Sequence, residues 1–144
     1  MDLILRGTNL PDGRTGHDIG IDKGRIAAVE PALKAKAKRE IDARGRLVTP
    51  PFVDPHFHMD ATLSYGFPAV NASGTLLEGI ALWGQMKPHL RAETIAERAL
   101  TYCDWAVARG LLAIRTHVDV CDPTLVVVEA LLNVKKKVKP YIDR

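Results

Sequence analysis

Three prolines, Pro50, Pro51 and Pro55, sit close together near the middle of the sequence and forbid a helix across that stretch. The segment they punctuate is extended: Phe52-Val53-Asp54-Pro55-His56-Phe57-His58-Met59-Asp60 alternates in the manner of a strand. Residues two apart on a strand project from the same face, so the imidazoles of His56 and His58 can reach one point in space. Neutral imidazole is the commonest protein ligand for zinc and suits ferrous iron as well. Two histidines do not complete a site, because zinc takes at least three protein ligands. The pair is therefore a partial metal site whose meaning depends on its surroundings.

Before Leu47 the chain reads as short strands broken by turns. Leu3-Ile4-Leu5 is one strand, Pro11-Asp12-Gly13 a turn, and Ile19-Gly20-Ile21 and Arg25-Ile26-Ala27-Ala28-Val29 flank Asp22-Lys23-Gly24 as the arms of a hairpin. After the basic linker Lys34–Arg39, Ile41 and Leu47-Val48 lie on either side of a turn at Arg44-Gly45. Such strands form part of a small sheet that expects other elements beside it. Beyond Asp60 the pattern becomes helical. Thr75-Leu76-Leu77-Glu78 has the form of a capping box and opens a helix that runs to about Lys87, before Pro88. Apolar residues at Ile95, Ala96, Ala99, Leu100, Cys103, Ala106 and Val107 predict a helix over 92–109, with Gly110 as its stop. Leu111-Leu112-Ala113-Ile114 is a short buried strand ending in Arg115-Thr116-His117-Val118-Asp119. Asp122-Pro123 supplies an N-cap and a first-turn proline for a helix reaching Val138, and Pro140-Tyr141-Ile142 suits the start of another strand. Strand, helices, strand, helix is the alternation of a parallel sheet, so the fold class is α/β.

The stretch from Leu47 to Asp60 resembles the first barrel strand of the amidohydrolase superfamily, whose members carry Pro-Gly-Phe-Val-Asp-x-His-x-His; Pro51 stands where glycine is usual, as in cytosine deaminases. Asp18 to Val29 is similar to the N-terminal strands of that family's small β-sandwich. The stretches Asn71 to Ile80 and Arg115 to Val120 narrow the resemblance to bacterial cytosine deaminase and its near relatives, over essentially the whole chain. The resemblance implies that residues 1–48 are part of a small β-sandwich domain and that 49–144 are the first strands and helices of a metal-dependent (β/α)8 TIM-type barrel. A complete barrel takes roughly 250 residues, so a truncated one is expected here.

The same resemblance implies roles. His56 and His58 match the two metal ligands of the first strand, and Leu76 matches the residue that presents a backbone carbonyl to a bound pyrimidine. His117 and Asp119, at the carboxyl end of the second strand, are expected to support or pack behind the site. The family's other parts are a glutamine after the third strand, histidines on the fifth and sixth, a glutamate nearby and an aspartate on the eighth. All would fall beyond Arg144, so no catalytic residue is expected within the chain and the 144 residues alone should be inactive. The implied reaction is hydrolytic deamination, most simply cytosine to uracil plus ammonia, with a divalent metal, Zn or Fe, activating water. One alternative is a related amidohydrolase of the N-alkylammelide hydrolase type, which removes amines from s-triazines and shares the Arg-Thr-His-Val-Asp pattern. The other is a non-catalytic truncated or split product. The expected partners are a small heterocyclic substrate and either further copies of the chain, as a homo-oligomer, or a complementing C-terminal portion.

Other chemistries are poorly served. The His-x-Glu and Pro-Cys-x-x-Cys strings of the other zinc deaminase fold are missing, as are HExxH, a phosphate loop and a Gly-x-Ser-x-Gly elbow. A formal charge of +3 and basic clusters without interleaved aromatics give no support for nucleic-acid binding. With no apolar run of ~20 residues and no signal-peptide layout, neither a membrane span nor export is expected, and the location is read as cytoplasmic. In that reducing compartment Cys103 and Cys121 are read as core fillers.

Overall fold

The computed structural model describes residues 1–142, and the chain divides into two compact units between Pro50 and Pro51. In the first unit, β1 (Leu3–Thr8), β2 (His17–Asp22), β3 (Arg25–Glu30) and β4 (Arg39–Asp42) form one sheet in the order β3-β2-β1-β4. The β1–β2 and β2–β3 pairs are antiparallel, and β4 joins β1 in parallel. The β2–β3 turn is the one the composition predicts. Lys23 and Gly24 both take positive φ, 49° and 73°, which matches the twist of the flanking strands. Ile4 and Ile19 are buried, and the Arg6 guanidinium binds Asp18 on β2 at 2.8 Å and Glu40 on β4 at 2.9 Å. One cation thus crosslinks three strands. Among the described residues these strands make a single sheet layer.

The second unit is built on two parallel strands, β5 (Phe52–His58) and β6 (Leu111–His117). Between them run α1 (Leu76–Met86), a short 3-10 turn (Lys87–His89) and α2 (Ala92–Ala108); α3 (Val126–Val138) comes after β6. The buried residues of α2, Ile95, Ala99, Cys103 and Ala106, recur at the helical period. They pack in one core with Val127, Ala130, Leu131, Val134 and Val138 of α3, with Ile114 of β6 and with Met59. Alanines at 99 and 130 leave room for close helix approach.

Several boundaries differ from the sequence expectation, each for a local reason. The α3 helix starts at Val126 rather than at Pro123. The Asp122 carboxylate is taken up by the Thr124 N–H at 3.1 Å and its hydroxyl at 2.5 Å, and Leu125 adopts a left-handed φ of 52°. This closes a turn before the helix can begin. The α1 helix, by contrast, ends at Met86 with Lys87 as its C-cap, before Pro88 as the sequence predicts, and Pro88 lies early enough in the 3-10 turn to need no N–H. Residues 140–142 form a turn rather than a strand, with the Tyr141 and Ile142 N–H groups donating back to the Val138 carbonyl. Cys103 is buried as expected, but Cys121 is exposed in the loop after β6. Among the described residues no helix is long and apolar enough to cross a membrane.

Candidate metal centre

The β5 strand is irregular where it matters. Asp54 pairs with Ile114 but Phe57 pairs with Thr116, so β5 spends one residue more than β6 over that interval. Pro55 has no N–H to give the ladder, and the Asp54 carboxylate accepts the His56 N–H at 3.1 Å. The result is a bulge, a device that re-aims side chains beside functional sites. It leaves His56 and His58 with ring centroids 5.6 Å apart and planes tilted by 48°.

His117, at the end of β6 and paired with His58 across the ladder, joins them. Its ring stacks on His56 at 3.9 Å and lies 5.8 Å from His58. Three imidazoles thus gather at the carboxyl ends of the two parallel strands. The His117 ring is pushed below the ordinary imidazole pKa, first by desolvation and then by His56, Arg115 and His58, which favours its neutral form.

The donor chemistry suits a borderline divalent ion. The stacked His56–His117 pair is a face-to-face contact, however, and among the described residues no group of three or more His, Cys, Asp or Glu has the geometry to hold a metal ion. Within the described residues His56 and His58 could therefore supply only part of a ligand set.

Asp119 is held elsewhere. Its carboxylate takes the Trp83 indole N–H at 2.5 Å, the Lys87 ammonium at 2.8 Å and the Cys121 N–H at 2.7 Å. The Lys87 bond, then the Cys121 N–H and the indole, hold its carboxyl far below the usual carboxylate range. Asp119 thereby fastens the end of α1 and the turn after it to the loop after β6. Leu76 opens α1 and is 78% exposed, behind a cap in which the Thr75 hydroxyl accepts the Glu78 N–H at 3.3 Å.

The residue that sequence reasoning passed over is Asp60. It is 1% exposed, accepts the Asp119 N–H at 2.8 Å, and faces His58 Nδ1 at 3.5 Å. The signal was available, since positions 56, 58 and 60 continue one two-residue spacing.

An amidohydrolase family profile matches residues 39–136 of this chain. The chain belongs to the amidohydrolase family. Within it, the N-isopropylammelide isopropyl amidohydrolase of Pseudomonas sp. (strain ADP) is 35% identical over 99% of this chain and 36% of its own length. Among solved structures, the 5-methylcytosine deaminase of Klebsiella pneumoniae, liganded with 5-fluorocytosine, is 39% identical with a TM-score of 0.87, over 97% of this chain and 34% of that one. An N-isopropylammelide isopropylaminohydrolase from Burkholderia multivorans matches with a TM-score of 0.77 at 24% identity, over 99% of this chain and 36% of that one, and speaks to fold alone. This amidohydrolase chain thus spans about a third of the length of these relatives. It resembles the N-terminal portion of cytosine deaminase.

Proposed function

We propose that this chain supplies the first metal-binding strand of an enzyme that hydrolytically deaminates a nitrogen heterocycle, cytosine or a close derivative, with release of ammonia. The observation that carries this reading is the imidazole pair His56–His58 at the carboxyl end of a parallel strand, in a chain 39% identical to a 5-methylcytosine deaminase. Active sites of (β/α)8 enzymes lie at that end of the strands. In this reading residues 49–144 are the first strands and helices of such a barrel and residues 1–48 belong to a small β-sandwich domain. The division between Pro50 and Pro51 supports that assignment. His56 and His58 hold two positions on a zinc or ferrous ion, whose contribution when bound is to activate water. Leu76 offers its backbone carbonyl to the heterocycle, and His117 and Asp119 support the site from behind. A second reading, amine removal from an s-triazine, is favoured by the 35% identity to the N-isopropylammelide amidohydrolase over nearly the whole chain.

A chimera separates the two. Residues 1–144 replace the matching third of the Klebsiella 5-methylcytosine deaminase, and the product is assayed with zinc or ferrous iron. The expected result is ammonia release from cytosine or 5-methylcytosine, lost in His56→Asn and His58→Asn. Release of isopropylamine from N-isopropylammelide without cytosine turnover would establish the second reading instead.

A further inference from the structure

Asp60 is a nearly inaccessible carboxylate next to imidazoles that are not buried: its side chain is 2% exposed and that of His58 is 56% exposed. A carboxylate so placed costs free energy unless its lone pairs are used. Oδ2 accepts the Asp119 N–H at 2.8 Å and Oδ1 accepts the Ala61 N–H at 3.0 Å. An ionised carboxylate has about four acceptor positions, so two backbone donors leave capacity unspent. Arg98 lies against the same residue and donates to its backbone carbonyl at 3.3 Å, but among the described ion pairs the partner of the Asp60 carboxylate is His58, whose Nδ1 stands 3.5 Å from Oδ1. His56 is in a different position. Its ring rests against that of His117, and its backbone N–H, not its ring, is what Asp54 receives.

A neutral imidazole carries one ring proton, and the partner of one nitrogen decides which nitrogen keeps it. We propose that Asp60 is a positioning residue for His58. Its carboxylate holds the proton on Nδ1, so that the lone pair of Nε2 is the one presented to a metal ion. The two histidines of the pair then differ: His58 is set by a buried carboxylate, His56 by ring stacking. The bulge ends before His58, and among the described ion pairs Asp60 stands beside Nδ1 of His58 and beside neither ring nitrogen of His56. The purpose of the arrangement rests on the metal-centre reading, but its test does not.

The ring nitrogens of the 15N-labelled 144-residue protein are read by long-range proton–nitrogen correlation, without metal and above the pH range in which imidazoles titrate. His58 is expected to carry its proton on Nδ1. Asp60→Ala is expected to shift it to Nε2 while the His56 pattern stays unchanged. Addition of Zn²⁺ should then perturb Nε2 of His58, at concentrations about 10- to 100-fold higher in the variant. An unprotonated Nδ1 on His58 in the wild-type protein overturns the assignment, as does an unchanged His58 pattern in a folded Asp60→Ala. The wild-type pattern decides by itself if that variant does not fold. Zn²⁺ that moves neither the His56 nor the His58 ring overturns the metal-centre reading and leaves the role of Asp60 toward His58 standing.

Discussion

At the scale of single residues, Asp119 is held by three donors, the Trp83 indole, the Lys87 ammonium and the Cys121 N–H, and its engagement has a pH signature. A carboxylate held below its ordinary pKa in the folded state stabilises the fold above the unfolded value, near 3.9, and loses that contribution as pH falls toward the folded value. Lowering the pH from neutral to about 3 should therefore reduce the urea midpoint of the wild-type protein through this group. Asp119→Asn should start lower at neutral pH, having lost the Lys87 ion pair, and should decline less over the same interval. Equal slopes for the two proteins would remove Asp119 from the account. The histidine pair is legible from sequence because its geometry is local, a two-residue spacing on an extended segment. The partners of Asp119 are not, because Trp83 and Lys87 lie 36 and 32 positions away along the chain and meet it only after α1 and β6 are packed. His117 is an intermediate case. Its position at a strand end is legible, but its stacking on His56 depends on the register of β5 against β6.

At the scale of elements, helix starts are where sequence and structure agree and disagree for reasons that can be named. Thr75 caps α1 as its Thr-x-x-Glu pattern predicts, yet Glu78 does not return to the Thr75 N–H. It takes the Ser73 hydroxyl and then the N–H groups of Ser73 and Ala72 at 2.6 and 3.1 Å, which in that order hold its carboxyl below the usual range. The cap therefore ties down the loop before α1 as well as the helix. Thr75→Ala should cost about 1 kcal/mol of local helix stability. Amide exchange in the first turn of α1 should then be about fivefold faster, with α2 unaffected. Exchange unchanged at Leu77 and Glu78 would mean that the Glu78 contacts alone hold the turn. Asp122 shows the opposite outcome. Its side chain has the chemistry of an N-cap, but Thr124 competes for it within two residues, and a pattern reading that sees only Asp-Pro cannot rank those partners.

At the scale of the whole molecule, the α/β class is legible from the alternation of elements, whereas the extent of the second sheet is not. Among the described residues that sheet has two strands, so β5 and β6 each keep one edge unpaired. Parallel sheets are normally covered on both faces, and bare strand edges recruit other strands. Beside β6 lies an apolar groove of about 630 Å³, lined by Val53, Ile114, Val118, Leu131, Leu132 and Val138 among others. Val53 is 63% exposed and Leu132 52%. Apolar surface of this kind is favourable to bury, by roughly 25 cal/mol for each Å² removed from water, and an open edge supplies the hydrogen bonds to direct it. The purified 144-residue protein should therefore associate through this groove. Sedimentation should show a weight-average mass that rises above 15.8 kDa with concentration. A charge at an exposed sheet position opposes such pairing. Val53→Lys combined with Leu132→Lys should accordingly hold the protein at the monomer mass with its circular dichroism unchanged. A wild-type protein that stays at the monomer mass throughout would show that the groove is closed in solution. Association that persists in the double variant would place the contact elsewhere on the chain.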